Sequence, residues 1–158
     1  MDNFDFRTHV NEIGRIVIKE MAENYDFHCF GKGGRMSDDL EAIELYFIAY
    51  RKGSIKEARG IEVKAIQRLT ELINQDKRLH PFFREFPFPT HRVGISLSFL
   101  QPDGKQYSDG SLDSVSHIKG ILYYTTNDPI TNKFVDLHQE TFEEAQKIIQ
   151  SGNENNEK

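Results

Sequence analysis

From Val93 to Leu100 the chain reads as a strand of alternating character: Val93, Ile95, Leu97 and Phe99 are large and apolar, while Gly94, Ser96 and Ser98 are small. Successive residues of a strand point to opposite faces, so this segment commits a sheet to one apolar face on a core and one face turned away from it. The apolar side needs a cover, and three helical stripes supply it. Phe6, Val10, Ile13, Val17 and Met21 recur at helical spacing and predict a helix from about Phe4 to Asn24. Ile55, Ala58, Ile61, Ala65, Leu69, Leu72 and Ile73 predict a second, ending near Gln75, and Phe142, Ala145, Ile148 and Ile149 a third. The last two open on Ser54-Ile-Lys-Glu57 and Thr141-Phe-Glu-Glu144, capping boxes in which each side chain satisfies the other's free backbone N–H. Gly60 inside the second stripe costs roughly 1 kcal/mol against alanine, which predicts close packing there.

Four more segments read as strands. Tyr25 to Phe30 is alternating and aromatic, and Gly31, Gly33 and Gly34 interrupt it. Leu40 to Tyr50 is largely apolar on both faces and so belongs in a sheet centre. Val115 to Thr126 and Phe134 to His138 follow, separated by turn-rich stretches. The order α-β-β-α-β-β-β-α predicts an α+β two-layer sandwich: a mostly antiparallel sheet of about four to five strands, with three helices mainly on one face. With 37% hydrophobic residues, 12 Phe and 6 Tyr, the chain is too apolar for disorder. Residues 1–150 read as a single domain, and 151–158, which lack apolar residues, as a disordered tail.

Strand parity tests the candidate sites. With Ile118, Gly120, Leu122 and Tyr124 inward, and Val135 and Leu137 inward on the last strand, the outer face carries Ser96, Ser98, His117, Lys119, Ile121, Tyr123, Asp136 and His138. A Ser-His-Asp triad needs contacts near 3 Å. Ser98 falls opposite His117, but Asp136 falls opposite Tyr123, roughly 20 Å away at about 3.3 Å per residue. His138, opposite Ile121, is similarly too far from His117 to share a metal ion. No metal site and no cofactor is expected.

The segment Gly31-Lys-Gly-Gly-Arg-Met-Ser-Asp-Asp39 has glycines and cations, but a strand follows where a phosphate loop needs a helix N-terminus. It reads as a hairpin loop. An enzymatic reading would assemble Arg35, Asp38, Asp39 and a histidine around it.

The most distinctive stretch is Leu79-His-Pro-Phe-Phe-Arg-Glu-Phe-Pro-Phe-Pro-Thr-His91, with Phe82, Phe83, Phe86, Phe88, Arg84 and three prolines. Two readings stay open for it: a crossover packed against the sheet edge and stiffened by proline, or an aromatic partner surface.

A formal charge of −5 argues against general nucleic-acid binding. The lone Cys29 forbids an internal disulfide. No apolar run is long enough to span a membrane, and no signal peptide is evident. A cytoplasmic location is the default expectation, with export through a leader outside this sequence left open.

Gly33-Gly-Arg-Met-Ser-Asp-Asp39, Ile55-Lys-Glu-Ala-Arg59, Pro81-Phe-Phe-Arg-Glu-Phe-Pro-Phe88 and Glu143-Glu-Ala-Gln-Lys-Ile148 resemble small bacterial α+β proteins of unknown function. The shared motifs are caps, turns and core stripes, so the resemblance implies a bacterial protein of unknown function and carries over no catalytic residues. The residues favour a non-enzymatic binding module with Phe82, Phe83, Arg84, Phe86, Phe88, Ile121 and Tyr123 on its surface. Its partner would be a protein, a peptide or a second copy of the chain. The alternative is the enzyme built on Arg35, Asp38 and Asp39.

Overall fold

The structure is a computed structural model, described here for residues 4–152. Helix α1 (Phe6–Tyr25) leads into strands β1 (His28–Arg35) and β2 (Ala42–Ala49). Helix α2 (Ile55–Gln75) and two short 3-10 turns (Lys77–Phe82 and Thr90–Arg92) follow. Then come β3 (Val93–Phe99), β4 (Leu112–Ile118), β5 (Ile121–Asn127), β6 (Phe134–Thr141) and α3 (Phe142–Ser151). The expected disordered tail falls largely on 153–158, outside the described residues.

The strands form one six-stranded sheet in sequence order, antiparallel except where β2 pairs with β3. A parallel pair needs a long crossover, and α2 with the proline-rich segment provides it. The α+β class and the run of helices and strands agree with the sequence; the strand count does not. Six strands replace the expected four to five because Val115 to Thr126 is a hairpin. Lys119 (φ 50°) and Gly120 (φ 88°) both take the left-handed conformation of a two-residue hairpin turn.

That turn changes the parity of one strand. Ile118 pairs with Ile121 and His117 with Leu122, so Val115 and His117 share the inner face with Leu122 and Tyr124. His117 is therefore buried and Ile118 exposed, the reverse of the expectation, and Gly120 sits in the turn rather than the core. Val135 and Leu137 are also outside the core, at 43% and 44% exposure. They lie on an edge strand whose first six residues are all exposed, and a register shift there moves the alternation by one. The glycines of 31–34 do not break β1, which runs through them as a paired strand.

The core lies between the sheet and the helices. Ile43, Leu45, Phe47 and Ala49 of β2 and Val93, Ile95, Leu97 and Phe99 of β3 meet Val10, Ile13 and Val17 of α1 and Ile66, Leu69 and Ile73 of α2. Ser54 caps α2 by accepting the Glu57 N–H at 3.1 Å, but the Glu57 carboxylate turns to Arg51 at 2.9 Å, so only half of the capping box forms. Gly60 is not closely packed: a Cβ there would meet nothing within 4 Å.

Candidate functional site

With the helices on one side, the opposite face of the sheet carries no layer of described residues. Its residues form rows across the strands. One row runs Gly31, Tyr46, Ser96, Ser116, Tyr123 and Gln139; the next runs His28, Ile48, Ser98, Ser114, Thr125 and Asp136. The floor is therefore serine on the two middle strands, flanked by Tyr46 and Ile48 on one side and by Tyr123 and Ile121 on the other. The serines satisfy one another across strands: Ser96 meets Ser116 at 3.1 Å, and Ser114 meets Thr125 at 2.8 Å. A hydroxyl so occupied leaves a low, uncharged floor. Phe30 (60% exposed) and Ile118 (55%) add apolar surface at the margins.

Tyr46 and Tyr123 stand three strand spacings apart, roughly 14 Å at about 4.8 Å per strand. An α-helix with its side chains is about 10–12 Å across. The backbones that carry the two tyrosines are thus spaced by about the width of one helix.

The proline-rich crossover is mostly built into the fold. Phe88 is 1% exposed and belongs to the core, which removes it from any contact surface. Asn74 clamps its backbone, donating to the Phe88 carbonyl at 2.9 Å and accepting the Phe88 N–H at 2.8 Å. Phe82 is half-buried and stacks on Phe6, ring centroids 4.7 Å apart. Phe83 bridges to Leu40 and packs on Phe88. Arg84 reaches the Asp39 carboxylate at 2.6 and 3.1 Å and Glu41 at 2.8 Å. Phe86 stands out at 66% exposure, its ring against His80.

Of the residues of the enzymatic reading, Arg35 and Asp39 are joined through Glu41 and Arg84 in one charged network, but no described histidine comes with them. Arg35 pairs with Glu41 at 2.8 Å, Asp39 is held by Arg84, and no described histidine hydrogen-bonds to or ion-pairs with Arg35, Asp38 or Asp39. The Arg84 guanidinium holds the Asp39 carboxyl below the usual carboxylate range. Ser98 is opposite Ser114 while His117 points into the core, so the triad residues are separated by the sheet itself. Among the described residues no group of three or more His, Cys, Asp or Glu side chains is placed to hold one ion. No described helix is long and apolar enough to cross a membrane.

Sequence reasoning missed a buried polar cluster on the helix side. Glu140 accepts hydrogen bonds from Arg59, Tyr124 and His138, and Glu62 lies fully buried on α2 with both carboxyl oxygens unpartnered. The cluster lies beneath the sheet, on the side away from the serine floor. Searches against protein-family models, curated proteins and solved structures found no significant match to the chain.

Proposed function

We propose that the chain is a protein-binding module whose uncovered sheet face is the docking surface, with Tyr46, Ile48, Ile121 and Tyr123 as its contact residues. The observation that carries this reading is the asymmetry of the sheet: one face is sealed by three helices, and the other presents a serine floor between aromatic and aliphatic walls. An apolar-rimmed surface of this kind gains from being covered, and tyrosine is enriched among residues that dominate binding energy. Of the crossover, Phe82, Phe83 and Arg84 act chiefly to fix the strap, and Phe86 is left as exposed aromatic area beside His80 and Phe83.

Site-specific photocrosslinking tests the reading. Benzoylphenylalanine at Ser96 on the open face, with Lys64 on α2 as the control position, would be used in the source cells. Any protein captured from Ser96 alone would then be purified and titrated against the native chain and S96R. The expected result is saturable binding that S96R weakens at least about tenfold, near 1.4 kcal/mol. Capture from both positions alike, or binding that S96R leaves unchanged, would discard the docking face. A concentration-dependent dimer weakened by S96R would identify the partner as a second copy.

A further inference from the structure

On β2 and β3, whose pairing is regular, Glu44 is the one charged residue turned to the open face. Its neighbours in register are Gly33 on β1 and Gly94 on β3. A Cβ at Gly94 would lie 3.0 Å from the Glu44 Cγ, and one at Gly33 would lie 3.2 Å from its Oε2. The Glu44 side chain thus lies along the sheet in a slot that two glycines leave for it, and it is half-buried there. The Tyr46 hydroxyl donates to Glu44 Oε2. That bond, aided by burial, raises the Tyr46 pKa to about 12, so the phenol stays a donor. No described lysine, arginine or histidine ion-pairs with Glu44; Arg35, two residues beyond Gly33, is engaged with Glu41 at 2.8 Å.

This arrangement dictates the chemistry of whatever covers the face. A partner docking here would strip water from the carboxylate. One phenol donor does not compensate a carboxylate shut inside an interface, whereas a paired cation with good hydrogen bonds does. The occupant must therefore carry its own positive charge to this point. We propose that the partner is a protein presenting an arginine, whose guanidinium pairs with Glu44 and lies against the rings of Tyr46 and Phe30. Those rings sit with centroids 6.1 Å apart, and Phe30 is open to solvent. A planar guanidinium can donate to a carboxylate and stack on an aromatic face at once; a lysine ammonium lacks the plane for stacking. The arginine anchor rests on the docking reading above and adds the charge that its partner must bring.

The probe is N-acetyl-arginine methylamide, titrated into the isotope-labelled chain by NMR beside its citrulline counterpart, a neutral isostere. The arginine compound is expected to perturb the amides of Gly33, Glu44, Tyr46 and Gly94, with citrulline about tenfold weaker and the difference abolished by E44Q. Equal shifts from citrulline, shifts spread over Glu23 and Glu71, no shift at the solubility limit, or an effect that survives E44Q would each overturn the arginine anchor. If the anchor fails while Ser96-dependent binding of a purified partner persists, the docking face stands without it. If both fail, the docking reading falls with it.

Discussion

Arg59 on α2 and Glu140 on β6 meet in a two-pronged ion pair, at 2.8 and 3.0 Å, with side-chain exposures of 0% and 2%. Tyr124 adds a hydrogen bond to the same carboxylate at 2.6 Å, and His138 another at 3.2 Å. Burial pushes the Glu140 carboxyl up, but the hydrogen bonds from Arg59, Tyr124 and His138 outweigh it and hold the pKa below the ordinary value. The pair fastens the central helix to an edge strand that is otherwise exposed along most of its length. Removing Glu140 takes a two-pronged hydrogen-bonded carboxylate from a fully buried guanidinium, so E140A should lose roughly 3–5 kcal/mol in urea unfolding, while R59M/E140L recovers most of it. Because the folded pKa is depressed, this stabilisation is present above the unfolded glutamate value near 4.3 and is lost as pH falls through the folded value. A native-like urea midpoint for E140A would show that the pair contributes little.

Glu62 has the opposite linkage. It is fully buried, and burial alone drives its carboxyl well above the ordinary range, with neither oxygen hydrogen-bonded. The folded chain holds this group protonated where the unfolded chain ionises it. Stability from this site is therefore full below about pH 4.3 and declines as pH rises toward the folded pKa. E62L removes an unsatisfied buried group at similar volume and should raise stability at pH 8 by about 1–3 kcal/mol. The gap between the urea midpoints of E62L and the native chain should be smallest near pH 4 and widen above it; parallel profiles would refute the linkage.

Asn74 is the latch of the crossover. Its side-chain amide pairs with both the N–H and the carbonyl of Phe88, and its own carbonyl meets His80 Nε2 at 2.7 Å. N74A leaves two polar backbone groups without partners and should cost about 1–3 kcal/mol. N74D keeps an acceptor for the Phe88 N–H but sets a carboxylate oxygen against the Phe88 carbonyl, so it should be at least as damaging. Hydrogen exchange at the Phe88 amide reads the effect directly: protection should fall more than in the core of β3, and a uniform loss would mean that the clamp is not local.

The open face was legible because alternation in Val93–Phe99 survives any register, and the Leu122 and Tyr124 side of β5 followed by the same logic. His117 was not, because Lys119-Gly120 reads equally as two strand residues until both φ angles prove positive. The Arg59 and Glu62 positions were hidden for a different reason. Charges beside an apolar stripe ordinarily face water, but α2 packs against α1, α3 and the sheet at once, so its buried arc includes Arg59, Glu62 and Thr70. Val63 and Ile66, apolar and off the narrow stripe, were the available sign of that wider arc. Glu44 passed unremarked in a strand that reads as largely apolar on both faces, and its glycine neighbours on two other strands were hidden because only strand register brings them together.

Two glycines separate entropy from space. Gly60 lies inside α2, and a methyl group placed there would meet nothing within 4 Å, so G60A gains helix propensity without a clash and should stabilise by up to about 1 kcal/mol. Gly53 lies at the turn into α2, where a Cβ would sit 2.1 Å from Cε1 of Phe99. That ring is wholly buried and packs edge-on against Phe27, centroids 5.4 Å apart, so it has nowhere to retreat. G53A should therefore destabilise by about 1–3 kcal/mol through overpacking. Thermal unfolding of the two variants should move in opposite directions from the native midpoint. A rise for both would mean that the Phe99 ring yields, and a fall for both would mean that the backbone at Gly60 resists a side chain for reasons other than space.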